Sequence, residues 1–229
     1  MRPAKLWKIA LEKSSRLILA LDSSALQPLK LVEMLEEHLA GIKVGLPAFL
    51  KWGTDRVVEL NEEFSHSLYT ICDLKLSDIP YVVGEELKLI RSLKFDGTIL
   101  HLFQGGVEEV VRLEGRPDLY GIVAMSHPQS LLLDRCFESI LDYAARLRLE
   151  GYVVPATKAN YVKAVRTRMP NCTLLAPGVG AQGAEPGSAI AAGADFEIVG
   201  RAITASEDPL SACRSIKKLL MGFKGGRFG

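Results

Sequence analysis

The chain carries almost no excess charge of either sign: 28 lysines and arginines stand against 27 aspartates and glutamates in 229 residues, a formal net charge of +1. Without a global field, neither nucleic acid nor a membrane surface is indicated as a partner, and an anionic ligand would need a local site. Long apolar runs are missing as well. Runs such as LILAL at 17–21 fall far short of the roughly 20 residues needed to cross a bilayer. Lys5, Lys8, Glu12, Lys13 and Arg16 interrupt the apolar positions near the N-terminus, which is wrong for a secretory signal and makes the cytosol the expected location. Cys72, Cys136, Cys172 and Cys213 contain no CxxC pair, which argues against a zinc site or a small disulfide scaffold and for ordinary buried thiols. No glycine-rich dinucleotide turn follows the first apolar strand, so an open Rossmann sheet is disfavoured.

What is present is regular. With 48% hydrophobic and 24% charged residues, the chain can bury a large core, and its length suits a single α/β barrel. Eight apolar, β-branched segments have strand length: RLILALD (16–22), GIKVGL (41–46), LYTICDLKL (68–76), GTILHLF (97–103), LYGIVAMS (119–126), GYVVPA (151–156), CTLLAPG (172–178) and FEIVGRA (196–202). They recur roughly every 25 residues, the length of one strand-helix unit. Segments of helical periodicity lie between them, among them 29–39, 83–93, 133–148 and 209–220. Continuously apolar strands imply a parallel sheet buried on both faces. The expectation is one domain over 1–229, a (β/α)8 barrel of the α/β class. An additional helix at about 3–14 should cover its floor, and a short basic tail occupies about 221–229.

Four charges sit where such strands should be apolar. Asp22, Lys43, Asp73 and Lys75 lie within or at the ends of the first three strands, and burying them is costly unless they are paired. Asp73 and Lys75 are two apart, which points both into the barrel near its C-terminal mouth while Cys72, Leu74 and Leu76 face the helices. Barrel enzymes do their chemistry at that mouth. Opposite charges on three neighbouring strands are better explained as an alternating site than as separate accidents. A second signal closes the chain: APGVGAQG (176–183) follows the seventh strand and VGRAI (199–203) the eighth. Glycines at these turns let backbone N–H groups approach an anion, and Arg201 adds a fork of donors, where barrels commonly hold phosphate. His101 reads as an interior histidine. His127, with no acid evident beside it, reads as a structural hydrogen-bonding group.

At this point the chain resembles the orotidine 5′-phosphate decarboxylase family. DLKLSDIP (73–80) matches its Asp-x-Lys-x-x-Asp-Ile-Pro signature, and the resemblance runs through LALD (19–22), IKVG (42–45), MSHP (125–128), PGVGAQG (177–183) and VGR (199–201). Related sugar-phosphate barrels share Asp-x-Lys-x-x-Asp, whereas Ile79-Pro80 and Gln182 make the set specific. The resemblance implies catalytic roles for Lys43, Asp73, Lys75 and Asp78. Lys75 would protonate C6 of the pyrimidine, Asp73 would lie beside the departing carboxylate, and Asp78 would reach into the partner subunit's site in a homodimer. Asp22 and Lys43 would hold the ribose hydroxyls, Ser126 and Gln182 the base, and Arg201 with Pro177, Gly178, Val179, Gly180 and Gly200 the phosphate, with Ile79 also at the substrate. The family often continues Ile-Pro with Asn-Thr, whose threonine reaches the neighbour's ribose. This chain has Tyr81 and Val82, so that contact is weakened or replaced.

The chemistry requires such residues. Loss of carbon dioxide leaves an electron pair in an sp² orbital at C6 with no adjacent carbonyl or imine to receive it, so a fixed ammonium must stabilise the carbanion and then protonate it. No cofactor and no metal are expected. Two alternatives remain: a metal-dependent sugar-phosphate lyase of the same superfamily, which sensitivity to a chelator would reveal, and a non-catalytic nucleotide-binding barrel, against which the intact set of Lys43, Asp73, Lys75 and Asp78 speaks.

Overall fold

The computed structural model describes residues 3–22 and 27–223. Strands β1 (Leu17–Leu21), β2 (Gly41–Gly45), β3 (Tyr69–Leu76), β4 (Gly97–His101), β5 (Asp118–Ile122), β6 (Gly151–Val153), β7 (Thr173–Pro177) and β8 (Phe196–Val199) follow one another around a closed barrel. Every pairing is parallel, and β8 closes onto β1 with Leu17 opposite Glu197. Helix α1 (Ala4–Glu12) precedes the barrel. Around it lie α2 (Pro28–Leu35), α3 (Leu46–Phe64), α4 (Pro80–Ser92), α5 (Val107–Val111), α6 (Leu131–Arg135), α7 (Phe137–Arg146), α8 (Ala159–Arg168), α9 (Ser188–Ala192), α10 (Arg201–Thr204) and α11 (Pro209–Gly222). This is the (β/α)8 barrel that the spacing predicts.

The period of two along each strand sorts side chains between two cores. Leu17, Leu19, Leu21, Ile42, Val44, Cys72 and Leu100 pack outward under the helices. Ile18, Ala20, Tyr69, Ile71, Ile99, Tyr120, Ile122, Val153, Leu175, Phe196 and Ile198 fill the interior. Near the floor, the rings of Tyr69 and Tyr120 need small neighbours. A Cβ at Gly97 would come within 2.8 Å of both Tyr120 Cε2 and the Tyr69 hydroxyl, and one at Gly151 within 2.7 Å of Tyr120 Cδ1. Large and small residues thus alternate to close-pack the layer. Helix α1 seals this end with Leu6, Trp7, Ile9 and Ala10. The Trp7 indole N–H donates to Thr173 Oγ1 at 3.0 Å and its ring meets Phe196 edge-on.

Three acids standing immediately before even-numbered strands fasten the floor. Asp96 accepts from Thr70 N in β3 at 2.9 Å, Glu150 from Leu119 N in β5 at 2.9 Å, and Asp195 from Leu174 N in β7 at 2.8 Å. Each also binds a cation: Lys5, Arg116 and Arg166 respectively. Hydrogen bonds to charged groups contribute about 1.5–3 kcal/mol each, so the set helps pin neighbouring strands in register.

Some sequence expectations differ in detail: of the four cysteines expected to be buried, Cys72 and Cys213 are, whereas Cys172 is half-buried and Cys136, at the junction of α6 and α7, is exposed. The periodic stretch 133–148 falls on two helices, α6 and α7, because Cys136 between them leaves helical geometry at φ −101°, ψ 15°. The fourth, fifth, sixth and eighth strands end earlier than their apolar runs, since residues beyond the pairing turn outward as loops at the mouth. Of the basic tail expected at about 221–229, residues 221–222 complete α11 and 224–229 lie outside the described residues.

Candidate active site

The mouth is built by the last inward-facing positions of each strand. In β2, Ile42 and Val44 face the helices, so Lys43 must face inward, where it is 5% exposed. Its Nζ lies 2.6 Å from Asp22 Oδ1, just past β1, and 2.9 Å from Asp73 Oδ2 in β3. Lys75 Nζ lies 2.9 Å from Asp73 Oδ1. The result is an unbroken alternating row, Asp22, Lys43, Asp73, Lys75, across three adjacent strands. A Cβ at Gly45 would collide with Asp22 Oδ1, which explains glycine beside the first pair.

Electrostatics follow from the row. Burial opposes the charged form of Lys43, yet Asp73 and Asp22 outweigh it and hold the ammonium above its ordinary value. Burial likewise works against the Asp73 carboxylate, and Lys43 and Lys75 overcome it to keep Asp73 more acidic than usual. Both groups are therefore ionised at neutral pH, each stabilised by the other.

Lys75 reaches Asp73 by a route that strand alternation does not anticipate. Pairing between β3 and β4 jumps from Cys72↔Thr98 to Leu76↔Leu100, and within that irregularity Lys75 has φ +53°. A non-glycine residue there costs about 1–2 kcal/mol. Such irregularities re-aim side chains beside active sites, and here the ammonium is left 42% exposed at the opening while Asp73 is 7% exposed.

The row borders a cavity of about 620 Å³, within the size range of small-molecule sites. Asp22, Lys43, Asp73 and Lys75 form one wall, Ser126, Pro177, Gly178, Val179 and Gln182 another, and Gly200 with Arg201 the rim. Ile99, Ile122, Val153 and Ile198 give an apolar floor beneath the charges. Gly178, at φ +104°, is where these walls meet: a Cβ there would stand 3.3 Å from both Gln182 Oε1 and Ser126 Cβ. Among the described residues, Arg201 has no ion pair or hydrogen bond from its guanidinium, and it follows Gly200 at the start of α10. An unpaired guanidinium at a rim with two glycine turns suits an anion.

Three residues singled out from the sequence lie off this cavity. Gly180 uses its N–H within its own turn, donating to Ala184 O at 2.8 Å. Asp78 takes the N–H of Ile79 at 2.7 Å, and Ile79 is 62% exposed. Neither Asp78 nor Ile79 approaches its own barrel's cavity wall. The apolar floor escaped sequence reasoning, because isoleucine and valine in a strand carry no signal beyond core. His101 continues the inward series above Ile99; burial, then Lys75, pushes its imidazole down to about 4. Among the described residues no group of three or more His, Cys, Asp or Glu side chains is placed to hold a metal ion, and no helix is long and apolar enough to cross a membrane.

Comparison with known proteins places the fold and the family. Residues 15–216 match the model of the Orotidine 5′-phosphate decarboxylase / HUMPS family. The orotidine 5′-phosphate decarboxylase of Aeropyrum pernix is 40% identical over 188 residues, covering 79% of this chain and 77% of that protein. The Methanosarcina barkeri enzyme of the same name is 37% identical over 213 residues, covering 90% and 95%. The crystal structure of orotidine 5′-phosphate decarboxylase from Pyrococcus horikoshii superposes with a TM-score of 0.81 at 30% identity, covering 90% of this chain and 100% of that one. The orotidine 5′-monophosphate decarboxylase of Methanocaldococcus jannaschii, solved in complex with the inhibitor BMP, gives 0.80 at 29% identity over 90% and 98%. By the extent of the family match and the identity to these relatives over most of their length, the chain belongs to the Orotidine 5′-phosphate decarboxylase / HUMPS family.

Proposed function

We propose that this chain decarboxylates orotidine 5′-phosphate to uridine 5′-phosphate, the last step of de novo pyrimidine nucleotide synthesis, working in the cytoplasm as a homodimer. The observation that carries the reading is the Asp22–Lys43–Asp73–Lys75 row set over an apolar floor. Lys75, paired to Asp73 yet partly exposed at the opening, presents its ammonium to the cavity, so it stabilises the C6 carbanion and delivers the proton. Asp73, buried and held ionised by two lysines, fixes Lys75 and stands where the substrate carboxylate departs. The apolar floor offers that carboxylate poor solvation and the neutral carbon dioxide a favourable one. Lys43 and Asp22 present a donor and an acceptor to the ribose hydroxyls, Ser126 and Gln182 address the base, and Arg201 with the Gly178 and Gly200 turns holds the phosphate. Remote phosphate binding can be expressed in the transition state.

The metal-dependent lyase reading requires the acids of the Asp-x-Lys-x-x-Asp motif around a cation. Both oxygens of Asp73 are already engaged by lysine ammonium groups, and Asp78 lies off the cavity, so the donor set fits lysine pairing and not a divalent ion. Orotidine 5′-phosphate mixed with the protein in excess chelator should lose its orotate absorbance at an undiminished rate. Turnover abolished by chelator, or none with this substrate, would overturn the reading. The homodimer reading rests on exposure: Asp78 sits on a protruding turn with Ile79 and Tyr81, 62% and 76% exposed. From there Asp78 supplies the negative charge that Lys75 of a second copy lacks on its open side.

A further inference from the structure

Glu86, two turns into α4, has no structural excuse for its position. Its Oε2 is buried without a hydrogen-bond partner, a costly arrangement for a carboxyl group. It lines a second cavity, about 460 Å³, behind the turn that joins β3 to α4. Phe49, Leu74, Leu76, Leu89, Ile90 and Leu93 make that cavity largely apolar, and the charged side chains in its wall are Lys75, Asp78 and Glu86. Strand β3 and its turn contribute the first two; α3 contributes none. Burial, then Asp78, pushes the Glu86 carboxyl up from its ordinary value.

We propose that Glu86 is a positioning residue that drives Asp78 away from its own barrel and toward the active site of a second copy. The inference rests on the reading that Asp78 completes the partner's site. Asp78 already borders this cavity, and a further inward turn of its carboxylate would bring it toward its own Lys75, whose positive charge would draw it away from a second copy. An ionised Glu86 in the same cavity disfavours that state by like-charge repulsion in an apolar setting, where such effects are strong. Protonated Glu86 loses the repulsion and gains an O–H that can donate to Asp78. The outward bias is thus present above the raised pKa of Glu86 and lost as pH falls through it, at a pH above the ordinary glutamate range.

Glu86→Gln in the full-length homodimer should lower kcat/KM on the order of tenfold, as misplacement of a catalytic group does. The acid limb due to Glu86 should vanish, and Glu86→Asp should restore most of the activity. The thermal midpoint should not fall, because an unpartnered half-buried charge is removed. The decisive readout uses heterodimers of Glu86→Gln with Lys75→Ala, isolated by two affinity tags. Their one intact Lys75 lies in the Glu86→Gln barrel and receives Asp78 from the chain that retains Glu86. That site should run with wild-type kcat/KM and the wild-type acid limb. If it carries the Glu86→Gln defect, Glu86 acts within its own barrel and the proposal is wrong; wild-type kinetics of the Glu86→Gln homodimer would sink it equally. Failure of the underlying reading is separately visible, as absence of complementation between Lys75→Ala and Asp78→Asn chains.

Discussion

At the scale of single residues, Lys75 combines the largest functional demand with a strained backbone, φ +53°. Lys75→Ala removes the cation and the proton donor that the proposed mechanism places there, contributions of roughly 10²–10³ and 10²–10⁴, so kcat/KM should fall by at least about 10⁴. Circular dichroism and the thermal midpoint should stay near wild type. Lys75→Arg should fail comparably, because a guanidinium is too weak an acid and has another shape. Near-normal turnover in either variant would remove Lys75 from the mechanism. His101 gives a prediction of the opposite kind, about stability. Its folded value of about 4 lies below the ordinary histidine value of 6.5, so between these pH values the unfolded chain binds the extra proton. Its contribution is therefore present above about pH 6.5 and lost as pH falls toward about 4. Urea titrations of the wild type should show stability declining across that window, and His101→Gln should flatten the decline. An equal slope in both proteins would mean that His101 is not the titrating group.

At the scale of elements, the turns after β7 and β8 act together, since Gly178 abuts Gln182 and Ser126 while Arg201 starts α10 across the cavity. Arg201→Ala should raise KM strongly, with a fall in kcat if the contact tightens in the transition state. Gln182→Ala should be milder, on the order of 1 kcal/mol for a neutral amide. Steady-state kinetics with orotidine 5′-phosphate separates these, and an unchanged KM for Arg201→Ala would move the phosphate site elsewhere. The elements also show what the sequence discloses. Lys43 was legible because GIKVG alternates without irregularity, so two outward apolar residues force it inward. The conformation of Lys75 was not legible, because nothing in DLKLSD marks a register shift, which arises from pairing with a strand some 25 residues away. The acids Asp96, Glu150 and Asp195 carry no signal in the sequence, since their partners are backbone N–H groups of another strand. The apolar floor was hidden by its own ordinariness: Ile99, Ile122, Val153 and Ile198 become a site only when closure of the barrel brings four strands together.

At the scale of the whole molecule, the arrangement of charge is incomplete in one chain. Asp73 has a lysine on each oxygen, while Lys75 has a carboxylate on one side only and is 42% exposed on the other. Asp78, from the same motif, sits outward among exposed apolar groups, with Leu50, Ile79, Tyr81 and Leu89 each more than 60% exposed. A two-fold dimer would cover such a face and deliver each Asp78 to the other chain's Lys75, because an isologous contact repeats itself by symmetry. Lys75→Ala and Asp78→Asn chains should then each be nearly inactive as homodimers. Mixed and allowed to exchange, they should form heterodimers in which one site carries both lesions and the other neither. Equal amounts exchanging at random give about half heterodimers, each with one intact site, so activity should return to roughly a quarter of wild type when sites act independently. Exchange verified by native mass spectrometry without recovered activity would mean that Asp78 serves its own barrel, and the second copy would then have no part in the chemistry.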